Sequence, residues 1–97
     1  MDDTPRIELV LNGGSDILVL DGTVLEAFKE TTAASRRWHV RHVKVASKPR
    51  RRGDGHTVYI GWMTSGTFPD AWTIDVSDAE LAHVEELVRI IHTRAPA

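Results

Sequence analysis

Ser77-Asp78-Ala79-Glu80-Leu81-Ala82-His83-Val84-Glu85-Glu86-Leu87-Val88-Arg89-Ile90-Ile91-His92-Thr93-Arg94 decides the fold. Ser77 and Glu80 form an S-x-x-E capping box, in which the serine oxygen accepts from the N3 amide and the glutamate reaches back to the cap amide. Asp78 and Glu80 stand in the first turn and Arg89, His92 and Arg94 in the last, the distribution a helix dipole favours. Leu81, Val84, Leu87, Val88 and Ile91 recur at three- and four-residue spacing and make one apolar stripe. The spacing predicts a helix over 77–94. Its stripe must be buried against something, and everything upstream reads as short β-strands.

At 97 residues the chain has room for one hydrophobic core and no second one. We read one domain over 1–97, with 1–5 as an N-terminal tail and 77–94 as the capping helix. Cysteine is absent, which excludes disulfides, thiol nucleophiles and cysteine-based zinc sites together. Twelve Lys and Arg against fourteen Asp and Glu give a formal charge of −2, so attraction to nucleic acid or membrane has to be local. The start (Met1-Asp2-Asp3-Thr4-Pro5) lacks the basic region and apolar run of a signal peptide. No run of about 18 apolar residues occurs. The expectation is a cytoplasmic protein without a transmembrane segment.

Residues 6–11 alternate, with Ile7, Leu9 and Leu11 on one face, and predict a strand. Asn12-Gly13-Gly14-Ser15 predicts a turn. A second strand over 16–20 is apolar throughout, so both of its faces are candidates for cover. Asp21-Gly22 is a strong hairpin signal leading into 23–28. Residues 24–34 also admit a helical reading, because Glu26, Ala27, Lys29 and Glu30 favour it locally; we take the strand, followed by a polar link over 29–34. Residues 36–45 carry a phase break: Trp38 and Val40 share one parity, Val43 and Val45 the other. Two short strands with a kink near Arg41-His42 bring both pairs inward. Pro, two Gly and four cations make 47–56 a loop, and 57–62 predicts a strand with Val58, Ile60 and Trp62 inward. A loop over 63–70 precedes a last strand over 71–76, with Trp72, Ile74 and Val76 inward. The prediction is mainly β: about seven strands in two packed antiparallel sheets and one C-terminal helix.

Seven strands followed by one helix resembles the pleckstrin-homology (PH) superfold, in which two bent antiparallel sheets form a barrel whose open corner the helix plugs. The wording also looks like the bacterial PH-like modules of small actinobacterial-type proteins. Asp21-Gly22, Arg36-Arg37, Trp38-His39-Val40-Arg41-His42-Val43, the Gly53-to-Gly55 loop, 58–62 and 72–87 carry that resemblance, which covers about 7–92. It implies a PH-like barrel; the superfold hosts lipid binders, peptide binders and scaffolds and so does not by itself fix a function. PH domains that bind phosphoinositides clamp the phosphates with cations of the first hairpin loop. Here that loop is Asn12-Gly13-Gly14-Ser15-Asp16, without a cation, so this function does not carry over at its usual position.

The conspicuous polar feature is Lys48-Pro49-Arg50-Arg51-Arg52. Arg pairs bidentately with phosphate, so the loop is a candidate contact for anionic lipid, nucleic acid or an acidic partner; the alternative is a solvated hairpin tip. Arg36, Arg37, Arg41 and Lys44 would enlarge the patch if they share its side. Tyr59, of outward parity, is a candidate contact residue, whereas Trp38, Trp62 and Trp72 have core parity. His39, His42, His56, His83 and His92 fit no metal-ligand spacing, and cations flank the first two; His83 and His92 lie about 180° apart on the helix. Ser65 is not in a G-x-S-x-G elbow and no phosphate-binding glycine motif occurs; Asp70, Asp75 and Asp78 cluster in sequence, but Asp75 and Asp78 are explained by strand parity and helix start. We therefore expect no enzyme, no metal and no cofactor. The expected function is a binding module for a protein partner or for self-association through a strand edge; the alternative is peripheral attachment to anionic lipid through 48–52. Single-stranded nucleic acid, which needs exposed aromatics beside cations, is the weakest reading.

Overall fold

A computed structural model of the chain describes residues 6–62 and 71–95. The tail 1–5, the loop expected over 63–70 with Ser65 and Asp70, and 96–97 lie outside the described residues. Four strands, β1 (Ile7–Leu11), β2 (Asp16–Asp21), β3 (Val24–Lys29) and β4 (Ala34–His39), form an antiparallel meander in chain order. Three more, β5 (Lys44–Pro49), β6 (His56–Gly61) and β7 (Trp72–Val76), form a second antiparallel sheet, and α1 (Asp78–Arg94) follows. The two sheets stay separate rather than closing into the expected barrel, so the small sheet has edges at β5 and β7.

Register explains what is buried. Cross-strand partners share a face, and Leu20, Leu25 and Trp38 line up across β2, β3 and β4. They face Val58, Ile60, Trp72 and Ile74 of the small sheet in one core, with Trp38 and Trp72 edge to face at 6.4 Å. Val84, Leu87 and Ile91 of α1 enter the same core, while Leu81 and Val88 are half-buried at its flank. Val19, on the outer face of β2, is also buried, which accounts for that strand's unbroken apolar run. The 24–34 ambiguity resolves to strand because β3 pairs on both sides, with β2 and with β4. A 3-10 turn at Glu30–Thr32 then leads into β4.

Val40 and Val43 are both buried, as the phase break requires, in a turn that carries the chain from one sheet to the other. Three expectations need correction. First, the loop over 47–56 shrinks to 50–55: Ser47, Lys48 and Pro49 pair with Val58, Thr57 and His56. Polar residues and a proline hide a strand whose partner lies across the hairpin, and both are tolerated on an edge. Second, β4 starts at Ala34, two residues before the expected strand, because Lys29 and Phe28 pair with Ala34 and Ser35. Third, Trp62 is 62% exposed and leaves the core. The strand ends at Gly61, so parity no longer dictates where the next side chain points.

Candidate functional site

The β5–β6 hairpin gathers most of the candidate residues. Arg50 N–H donates to Gly55 O at 3.1 Å and closes the tip. Gly55 is there because φ is +98° and an added Cβ would run into the Val76 carbonyl oxygen. Lys48, Arg50, Arg51, Arg52, Thr57 and Tyr59 line one concavity of about 630 Å³ on the outer face of the small sheet. Within it the Lys48 ammonium sits 6.0 Å from the Tyr59 ring centroid, and Thr57 Oγ1 donates to Asp75 Oδ1 at 2.8 Å. Tyr59 is half-buried within this concavity.

Arg36 and Arg37 do not join this patch. Arg37 Nε donates to Glu26 Oε2 at 2.7 Å on the outer face of the four-stranded sheet, and that bond raises the guanidinium pKa. Arg36 faces inward, 5.7 Å from the Trp72 ring centroid, and Lys29 approaches the same ring at 5.4 Å. Adjacent residues of a strand point to opposite faces, which is why the Arg-Arg pair is split. Lys44 does share the Lys48 face, since Lys44, Ala46 and Lys48 alternate along β5 opposite Gly61, Tyr59 and Thr57.

The two edges of the small sheet differ. On β7, Lys29 Nζ donates to Thr73 O at 2.8 Å and Asn12 Nδ2 donates to Asp75 O at 2.7 Å, so side chains from the other sheet cover that edge. Asn12 is the centre of this seam. Its Nδ2 also donates to buried Asp16 at 2.8 Å, and its backbone N–H donates to Glu80 Oε2 at 2.8 Å. On β5, by contrast, β6 is the one paired strand among the described residues. Alternate backbone N–H and C=O groups of such an edge point away from the sheet.

Beside the β5 edge runs a groove of about 330 Å³ whose lining includes Val45, Ser47, Leu81, Val84, Val88 and His92, with Glu85 and Arg89 at its rim. Sequence reasoning misses this groove. Its signal is the width of the helix stripe: five apolar positions, of which Leu81 and Val88 stay half-exposed. The histidines are scattered. His83 and His92 are exposed on α1, His56 Nδ1 lies 3.3 Å from Asp78 Oδ1, and the His39 and His42 rings are 6.1 Å apart in the β4–β5 turn. Among the described residues no three His, Asp or Glu are placed to hold a metal ion, and no helix is long and apolar enough to cross a membrane. No protein-family model, curated protein or solved structure matches the chain.

Proposed function

We propose that the chain is a non-catalytic protein-binding module, on the PH-like plan its element order resembles, that receives an extended acidic segment of a partner along β5. The observation that carries this is the charge of the β5 edge, which among the described residues pairs with β6 alone. The hairpin 44–61 holds five Lys and Arg against one Asp, a charge of +4, so the rest of a chain of total −2 holds −6. A second copy pairing edge to edge would set these cations against each other, which disfavours self-association through β5.

Strand geometry also states what the segment should look like. Alternate residues of an added strand point to opposite faces. One set would enter the groove against Val45, Leu81 and Val88; the other would lie beside Lys44 and Lys48. The partner pattern is therefore alternating apolar and acidic. The test compares a peptide alternating valine and glutamate with one of the same composition in two blocks, by calorimetry and by backbone amide exchange. Preference for the alternating peptide, with amides slowed in 44–49, is the expected result. Val88→Asp should abolish it and Lys44→Glu/Lys48→Glu should reverse the charge preference. Equal binding of the two peptides, or protection elsewhere, refutes the reading.

A second reading rests on the exposed arginines at 50–52. Each cation near an anionic membrane is worth about 1 kcal/mol, so this tip supports weak peripheral attachment. Co-sedimentation with anionic but not neutral vesicles, lost in Arg50/Arg51/Arg52→Ser and at raised salt, would favour it; no pelleting at low salt sinks it.

A further inference from the structure

The turn between the sheets, Val40-Arg41-His42-Val43, hides its outer residues and displays its inner ones. Val40 and Val43 are buried in the core, while Arg41 and His42 are exposed. The turn is also tightly tied. Val40 N–H donates to Thr23 O at 2.9 Å, and the N–H groups of His42 and Val43 both donate to His39 O, at 2.9 and 3.1 Å. Beside it, Arg94 in the last turn of α1 donates to Gly22 O at 3.2 Å. Thr23, His39, Arg41, His42 and Arg94 together line a concavity of about 550 Å³. Among the described residues its lining contains two arginines, two histidines, one hydroxyl and no carboxylate, in a chain with more acidic than basic residues.

One of the lining imidazoles is held by the backbone of the turn itself. Arg41 N–H donates to His39 Nδ1 at 3.1 Å. A nitrogen that accepts carries no proton, which leaves Nε2 as the donor of the His39 ring. His39, His42, Thr23 and Arg41, each with a side-chain donor, thus line one hollow. By register Asp21 shares the outer-face row Asp21–Val24–His39, with Val24 between it and His39. The C-terminal partial charge of α1 also works against an anion, and Arg94 offsets it.

We propose that this turn binds a phosphate monoester, the Arg41 fork taking two oxygens and the imidazoles and Thr23 the remainder. A tetrahedral anion with three terminal oxygens uses a converging set of donors that a chloride or a single carboxylate does not. The site is separate from the β5 edge and its hairpin tip, and it does not depend on the reading proposed for them.

The experiment titrates the full chain with glycerol 3-phosphate, against sodium chloride at matched ionic strength, and follows the imidazole and backbone resonances of Thr23, His39, Arg41 and His42. Saturable shifts at these four residues are expected. Arg41→Gln should weaken binding by about tenfold or more, the loss of hydrogen bonds to a charged group. Arg50/Arg51/Arg52→Ser should leave it unchanged. His42→Gln, with the guanidinium intact, provides a second variant should Arg41→Gln not fold. Vesicles of phosphatidylcholine with and without phosphatidic acid identify the source: pelleting that Arg41→Gln abolishes assigns a lipid headgroup, and a response to the soluble ester alone assigns a free phosphate compound. A response equal to that of chloride, one that survives Arg41→Gln and His42→Gln, or shifts confined to 48–52 would overturn the proposal.

Discussion

Glu80 joins three parts of the molecule, and its removal tests the packing argument quantitatively. Ser77 Oγ accepts from Glu80 N–H at 3.1 Å, and Glu80 Oε1 accepts from Ser77 N–H at 3.0 Å, completing the capping box. The second carboxylate oxygen accepts from Asn12 N–H at 2.8 Å, which ties the start of α1 to the end of β1. The backbone donor of Ser77 and then that of Asn12 hold the Glu80 carboxyl below its usual value. Glu80→Gln keeps one acceptor oxygen for Ser77, but its amide nitrogen cannot accept from Asn12, so a loss of about 1 kcal/mol is expected. Glu80→Ala loses both bonds, about 2 kcal/mol. For a domain of this size each 1 kcal/mol lowers Tm by about 4–8 °C. A depressed carboxyl stabilises the fold only while it is ionised, because the unfolded chain binds its proton more readily. The advantage of wild type over Glu80→Gln is therefore complete above the ordinary glutamate range, near 4.5, and lost as pH falls through the lower folded value. Thermal unfolding followed by tryptophan emission at pH 7 and at acid pH measures this. An alanine variant within about 0.3 kcal/mol of wild type, or a Gln deficit that is the same at both pH values, would refute the argument.

Gly55→Ala combines a left-handed φ with a clash against the Val76 carbonyl and should cost about 2 kcal/mol or more, read from urea unfolding. Asn12→Ala removes the donor to buried Asp16 and uncovers the Asp75 carbonyl, an expected loss of about 2–3 kcal/mol. Asn12→Gly loses the same bonds but relieves φ +53°, so it should be the more stable of the two by about 1 kcal/mol. Leu87→Ala opens a cavity between helix and sheets and should cost about 2–5 kcal/mol in the same assay.

The capping box, the helix stripe and the strand at β2 are determined by residues within a few positions of each other, and so the sequence alone determines them. The same holds for the Val40–Val43 phase break, since a parity change between buried residues admits few solutions. Mainly β structure with a terminal helix follows from these local patterns. Tertiary structure decided the rest. Only the pairing of Lys48 and Pro49 across the hairpin makes them strand; only the end of β6 at Gly61 turns Trp62 outward. Only the seam with the other sheet makes Asn12 a junction of β1, β7 and α1. The candidate sites follow the same division: the cations at 48–52 are visible as a run, but their company with Tyr59, their separation from Arg36 and Arg37, and the groove beside β5 are not. Hydrogen bonds between residues more than 60 positions apart, such as Asn12 to Glu80, leave no periodicity in the sequence, because either partner alone reads as an ordinary turn or cap residue.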